Sequence, residues 1–296
     1  MAILLTGSSG FLGKEILNHI GQDNIKTLSR HFSDYKNDLQ AGIPLFKERF
    51  NLVIHAAGKA HSFPKTEAEK QDYFNVNVKG TSNLLKNLEN SGVPNSFIFI
   101  SSVAVYGKES GILINENENL LAKDAYGQSK IQAEELITKW CAKNNAICTI
   151  LRLPLIAGSN PPGNLGSMIK AIQKGYYFNI DGGKAKKSIV LAGDVARIIP
   201  KAAKIGGVFN LTDGYHPSFK ELSSLIAEQL NKKPPGNIPG LLAKAVARIG
   251  DILGKRALIN SVKLKKITSD LTFDDSKARE LLGWNPTLVL EGFKIS

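Results

Sequence analysis

Short runs of β-branched and aliphatic residues recur through the first two thirds of the chain, separated by stretches with apolar residues three and four apart. The runs are Ala2–Leu5, Ile25–Leu28, Leu52–His55, Phe97–Ser101 and Ala146–Leu151. Between them, Leu12, Ile16, Leu17 and Ile20, then Leu84, Leu85 and Leu88, then Ile131, Leu136 and Ile137 keep the 3.6-residue spacing of helices with one buried face. Strand and helix in alternation predict βαβ units, hence an α/β fold with a doubly wound parallel sheet.

After residue 155 the pattern changes. Residues 156–164, "IAGSNPPGN", read as a loop. "SIVLAGDVARII" and "GGVFNLTD" read as late strands returning to the sheet. Residues 216–296 read as mostly helical, with prolines at the joints. There, Leu241, Leu242, Ala245, Val246, Ile249, Ile252 and Leu253 form an apolar stripe. Such a stripe suits a membrane surface but is more often core, and core is the expectation. The chain holds no internal repeat and no low-complexity segment.

The charge adds a partner to this picture. A formal net charge of +12 points to something anionic. The lysines are scattered, with mild clusters in "GGKAKKS" and "SVKLKKI", and neither an aromatic RNA-binding motif nor a zinc-finger spacing accompanies them. A phosphate-bearing small molecule is therefore favoured, and no nucleic acid is expected. No apolar run approaches the ~20 residues that span a bilayer, so no membrane insertion is expected. The opening apolar run is too short for a secretory signal, and Cys141 and Cys148 lack metal or redox spacing, so a cytoplasmic location is expected. The five histidines also lack ligand spacing, and no metal is expected.

"TGSSGFLG" supplies a site for the phosphate. Gly7, Gly10 and Gly13 lie between the first strand and the first helix. In a dinucleotide fold the first glycine permits the tight turn, the second lets backbone approach the pyrophosphate, and the third lets helix pack on strand. The helix N-terminus then presents unpaired N–H groups to the phosphates. Ser9, Phe11 and Leu12 belong to the same candidate cofactor loop. At the end of the second strand, where NAD-binding folds usually carry an acid, stand Ser29 and Arg30. A serine and a guanidinium suit the 2′-phosphate of NADP(H), which is preferred here over NAD(H). Asp38, followed by Leu39, is placed to reach the adenine.

"YGQSK" sets Tyr126 and Lys130 four residues apart at the start of a helix, projecting from one face. Tyrosine ionises near pH 10, and a neighbouring ammonium is expected to lower that value and make it an acid–base group. Upstream, "FIFISSVAVYG" ends a strand with Ser101 and Ser102, at the carboxyl edge where open α/β sheets bind ligands.

With these motifs in order, the chain resembles the extended short-chain dehydrogenase/reductase family (the NAD-dependent epimerase/dehydratase family), which includes nucleotide-sugar epimerases, dehydratases and ketoreductases. "VIHAAG", "NVNVKGTSNLL", "LRLPLIAG", "GDVA" and "ARELLGW" extend the resemblance over nearly the whole chain. It implies a Rossmann domain at residues 1–155, to which 188–215 return, and a smaller, mostly helical C-terminal substrate domain from 156–187 and 216–296. It also implies a catalytic Ser102, Tyr126 and Lys130. Ser101, Ala56, Ala57 and Gly58 would line the cofactor, Asn77 would support the site, and Pro154 and Leu155 would flank the nicotinamide. Asn164 and Lys187 would meet the substrate diphosphate, and His61, after the cofactor strand, is a candidate to meet the sugar.

Departures narrow the activity. The family's 4,6-dehydratases carry Asp-Glu after the serine or threonine, where this chain has Val103 and Ala104. Typical UDP-hexose 4-epimerases carry the strand-two acid, replaced here by Ser29. The resemblance therefore implies NADPH-dependent reduction of a UDP-4-keto sugar for surface polysaccharides. UDP-sugar 4-epimerisation with tightly bound NAD is the alternative, and a non-catalytic NADP(H)-sensing module is a third reading. Homodimers are common in the family.

Overall fold

The computed structural model describes residues 2–21, 25–42, 46–60, 64–253 and 260–295. The first strands are β1 (Ile3–Thr6), β2 (Ile25–Ser29), β3 (Tyr35–Lys36), β4 (Leu52–His55) and β5 (Ser96–Ser102). Later strands are β6 (Gly111–Ile114), β7 (Ile147–Leu153), β8 (Leu155–Ala157), β9 (Asn179–Ile180), β10 (Ile189–Leu191), β11 (Gly207–Asn210), β12 (Asn237–Ile238) and β13 (Leu271–Phe273). Seven of them form one sheet in the order β3-β2-β1-β4-β5-β7-β11, with every pairing parallel. The order reverses between β1 and β4, which opens a crevice beyond their carboxyl ends. This is a Rossmann sheet.

Helices cover both faces, which is why its strands are almost continuously apolar. On one face α1 (Phe11–Ile20) and α6 (Ala192–Ile205) bring Ile16, Val195 and Ile199 onto Leu5, Ile54 and Ile98. On the other, α3 (Gly80–Ser91) and α4 (Ala125–Lys143) bring Leu84, Leu88, Ile137 and Trp140 onto Leu4, Val53, Phe97 and Phe99. Helix α2 (Glu67–Phe74) runs into α3 through a wider π-helical turn at Asn75–Lys79. Beyond the sheet, α5 (Gly163–Gln173), α7 (Phe219–Gln229) and α11 (Val289–Gly292) close an apolar cluster of their own around Leu165, Met168, Ile226 and Val289.

Two late segments differ from expectation. "SIVLAGDVARII" contributes only Ile189–Leu191 as strand, and that strand pairs with β8 rather than with the sheet. From Ala192 onward Val195, Ala196, Ile199, Ala202 and Ala203 are buried at helical spacing, so the segment continues as α6. "GGVFNLTD" does return, as β11 at the sheet edge. The second difference is α8 (Gly240–Leu253), which is followed by α9 (Ser261–Thr268) and α10 (Ser276–Leu282). The described side chains of the α8 stripe are not core: Leu241, Leu242, Ala245, Val246 and Ile249 are exposed, while Ala243 and Ala247 are buried, and the side chains of Ile252 and Leu253 lie outside the description. The side of α8 that packs on Leu264 of α9 carries Ala243 and Ala247, and the large residues face out.

Candidate active site

A cleft of about 500 Å³ opens beyond the carboxyl ends of β1, β2 and β4. Its floor is the glycine loop. Gly7 sits at φ +73°, and a Cβ there would lie 2.6 Å from the Ala57 nitrogen. A Cβ on Gly13 would run into the Gly7 carbonyl oxygen and lie 2.8 Å from Ser8 Cα, so α1 can approach β1 only through glycine. The Gly7 N–H donates to the Leu28 carbonyl (2.9 Å) and the Gly10 N–H to the Gly7 carbonyl (2.9 Å), which stiffens the loop. Among the described residues no side chain caps α1, so its first amides are left for a ligand. Ser9 is exposed at the mouth, Phe11 packs toward Gly158, and Leu12 is turned into the core.

At the end of β2 the Ser29 hydroxyl donates to the His31 carbonyl and accepts the His31 N–H at 3.3 Å. Arg30 is exposed and lines the cleft beside it. Asp38 accepts from the Gln40 backbone (3.2 Å) and side chain (3.1 Å), while Leu39 is buried against Gly80. Asn37, which sequence reasoning missed, also lines the cleft. Its Oδ1 is buried and unpartnered among the described residues. A donor supplied by a ligand would satisfy it. The sequence signal was weak because β3, just before it, is only two residues long.

Beneath the cleft a directional chain of hydrogen bonds crosses the sheet. The Ala57 N–H donates to Thr6 Oγ1 (3.1 Å), which lies 2.7 Å from His55 Nδ1. His55 Nε2 lies 2.8 Å from Thr81 Oγ1, and that hydroxyl donates to the Asn77 carbonyl (2.6 Å). Because Thr81 donates onward, His55 donates to it through Nε2 and accepts from Thr6 at Nδ1. Burial holds the imidazole neutral, with its pKa pushed down to about 3. Asn77 accepts from the Lys59 N–H (2.7 Å) and donates to the Lys59 carbonyl (3.1 Å) and to Ser129 Oγ (2.9 Å). The side chain thus joins the Ala56–Gly58 loop to α4. Lys59, also missed from sequence, lines the cleft and pairs with Asp72 at 3.0 Å.

Asp124 caps α4 by accepting from the Gly127 N–H (3.0 Å), and this fixes its first turn against β5. Ser102 lies beside the Tyr126 hydroxyl, and its own hydroxyl accepts from the Ala104 N–H (3.2 Å). Lys130 Nζ donates to the Ile100 carbonyl (2.8 Å) and lies 4.5 Å from the centre of the Phe99 ring. Burial holds the ammonium down to about 8. Burial pushes the Tyr126 hydroxyl above its ordinary value, opposed by the Ser102 hydroxyl beside it. The expected lowering by the lysine is therefore reversed: the ammonium is directed at Ile100, and enclosure disfavours the phenolate.

A buried network supports this turn from below. The Ser101 hydroxyl donates to Glu134, one helical turn after Lys130. Arg152 grips the same carboxylate with both Nε (3.2 Å) and Nη2 (2.7 Å), and its Nη1 donates to the Tyr106 hydroxyl (3.1 Å). Ser101 therefore faces the interior rather than the cleft.

The residues expected at the substrate end are less concentrated. Pro154 and Leu155 are partly buried where β7 passes into β8, and Asn164 is exposed in the first turn of α5. Lys187 donates to the Lys266 and Ser269 carbonyls (3.0 and 2.9 Å), so its ammonium caps the end of α9. Burial holds it down to about 8. His61 lies outside the described residues. The cradle of glycines, the uncapped helix and the orphan acceptor on Asn37 fit a dinucleotide, and the hydroxyl pair of Ser102 and Tyr126 can pass a proton to or from an oxygen.

A family model described as "NAD dependent epimerase/dehydratase family" matches residues 3–211. The chain is 31% identical over 297 residues to an N-acetyl-α-D-glucosaminyl-diphospho-ditrans,octacis-undecaprenol 4-epimerase of Escherichia coli O157:H7, covering 93% of this chain and 88% of that one. It is 30% identical over 318 residues to a UDP-glucose 4-epimerase of Vibrio cholerae, covering 99% and 93%. Among solved structures, RMD from Pseudomonas aeruginosa complexed with NADPH superposes with a TM-score of 0.73 at 20% identity, covering 98% and 95%.

Proposed function

Since the chain belongs to the NAD-dependent epimerase/dehydratase family, we propose that this NAD(P)-dependent enzyme inverts C4 of a diphosphate-linked hexose. The observation that carries this reading is Ser102 set beside the buried Tyr126 hydroxyl, with Lys130 one turn along α4 and a cleft of about 500 Å³ floored by the glycine loop. Tyr126 takes the proton of the C4 hydroxyl, and Ser102 holds the same oxygen while it becomes a carbonyl. A nicotinamide held in the cleft would supply the chemistry of taking up and returning the C4 hydride. Tyr126 then returns its proton to the oxygen once the sugar has presented its other face. Burial favours the protonated form of Tyr126, so the tyrosine first gives its own proton to solvent, and it is the resulting phenolate that takes the C4 proton.

Gly7, Gly10 and Ser9 would hold the pyrophosphate, Arg30, Asp38 and Leu39 the adenosine end, and Ala56, Ala57, Gly58 and Asn77 the middle of the cofactor. The segments 156–187 and 216–296, with Asn164, would hold the sugar diphosphate. Epimerisation is placed ahead of the net reduction expected from sequence because the relatives at 30 and 31% identity are both 4-epimerases. One of them names a nucleotide-linked sugar and the other a polyprenol-linked one, and a sugar diphosphate is common to both.

Reduction of a 4-keto sugar by NADPH is the second reading, favoured by Ser29 and Arg30 where an acid would select NAD. Denaturing the purified protein and identifying the released dinucleotide separates the two. Near-stoichiometric NAD is the result expected for an epimerase that recycles its cofactor in place. An empty protein that prefers NADPH assigns reduction. Replacing Tyr126→Phe is expected to keep cofactor binding and lower turnover by about 10²- to 10⁴-fold. Unchanged turnover would refute the assignment of Tyr126.

A further inference from the structure

Helix α8 hides its small residues and displays its large ones. Ala243, Ala247 and Gly250, spaced i, i+4 and i+7, are buried, the alanines packing with Leu264 of α9 and with Ile180 and Ile238. Leu242, Val246 and Ile249 repeat the same spacing on another flank and are 60, 54 and 60% exposed. Leu241 is 82% exposed, and Val262 on α9 is 60% exposed. Lys244 and Arg248 border the stripe. Asp251 binds the two helices together by accepting from the Ser261 N–H at 2.9 Å.

The stretch of sequence that carries α8 and α9 is one-sided in charge. Residues 232–266 hold nine basic side chains (Lys232, Lys233, Lys244, Arg248, Lys255, Arg256, Lys263, Lys265 and Lys266) against one acid, Asp251. Most of the chain's net charge of +12 thus lies within 35 residues. An aliphatic stripe inside a basic field matches an anionic bilayer: leucine, valine and isoleucine enter the acyl boundary, and lysine and arginine stems reach back to the phosphates. A second copy of the chain meeting this face would set the same basic side chains against one another.

We propose that α8 and α9 dock the protein on an anionic lipid surface, lying in its plane. Among the described residues no helix is long and apolar enough to cross a membrane, so the contact is interfacial. The proposal goes beyond the reaction at Tyr126 and does not depend on it. Each lysine or arginine near the surface adds about fivefold to the partition constant. Burying Leu242 and Ile249 together adds roughly 100-fold.

The test is sedimentation of the full chain with vesicles of phosphatidylglycerol and phosphatidylcholine, and with vesicles of phosphatidylcholine alone. The expected result is binding to the first that weakens with salt. The double variant Leu242→Glu with Ile249→Glu is expected to lose about 100-fold in partition. Its melting temperature should be that of the parent, because both side chains are exposed. Failure of the parent chain to sediment with the anionic vesicles overturns the proposal, as does equal binding by the double variant. A lipid-free dimer that the same substitutions dissociate also overturns it, by assigning the face to a second copy of the chain.

Discussion

Replacing Lys130→Met is expected to stabilise the cofactor-free protein while lowering turnover by more than about 100-fold. Lys130 is only 6% exposed, and among the described residues its ammonium has one carbonyl partner, Ile100, besides the Phe99 ring. Glu134 favours the charge but does not overcome burial, which holds the pKa at about 8 against an ordinary 10.5. A difference of that size corresponds to about 3 kcal/mol at neutral pH, where the folded protein must keep a proton its surroundings disfavour. Methionine removes that cost and forfeits the hydrogen bond to Ile100, worth about 1 kcal/mol. The net gain near neutrality is therefore about 2 kcal/mol. The sign with pH follows from linkage. Between about 8 and 10.5 the unfolded chain holds the proton more often than the folded one, so the wild-type protein gains stability as pH rises through that window. The methionine variant gains nothing from this group, and its advantage shrinks and then reverses. Urea unfolding of both proteins from neutral to alkaline pH measures the difference. A pH-independent difference, or a variant clearly less stable than wild type at neutrality, would refute the claim that the ammonium is desolvated.

Two further substitutions test the scaffold under the site. Glu134→Ala leaves the 5%-exposed Arg152 without its carboxylate and is expected to cost about 3–5 kcal/mol in urea unfolding, most of it recovered by Glu134→Met with Arg152→Met. A loss under 1 kcal/mol would mean that water reaches the pair. Gly7→Ala forces a Cβ to within 2.6 Å of the Ala57 nitrogen at φ +73°, and is expected to weaken dinucleotide binding at least about tenfold through ~1–3 kcal/mol of strain. Calorimetric titration with NAD and NADP reads this loss, and an unchanged affinity would remove the loop from the binding site.

By itself the sequence determined what depends on near neighbours along the chain. The alternation of periods set the parallel sheet and its covering helices, because burial of one helix face or of a whole strand is written in residues two to four apart. The glycine loop and the Tyr126–Lys130 spacing were legible for the same reason: a turn conformation and an i, i+4 pair are local facts. Tertiary structure decided what depends on residues far apart. The order Ala57, Thr6, His55, Thr81, Asn77 unites positions up to 75 apart, and nothing local marks His55 as its centre. Glu134 and Arg152 pair only because α4 lies across β7. The pKa of Tyr126 moved opposite to the expectation because enclosure, not the distance along the helix to Lys130, sets the local dielectric. Lys187 has the residue type for a diphosphate, but the fold brings the end of α9 to it. On α8 the pattern shows two possible faces, and the choice falls to the neighbour. Ala243 and Ala247 pack with Leu264 of α9, and leucine, valine and isoleucine face outward.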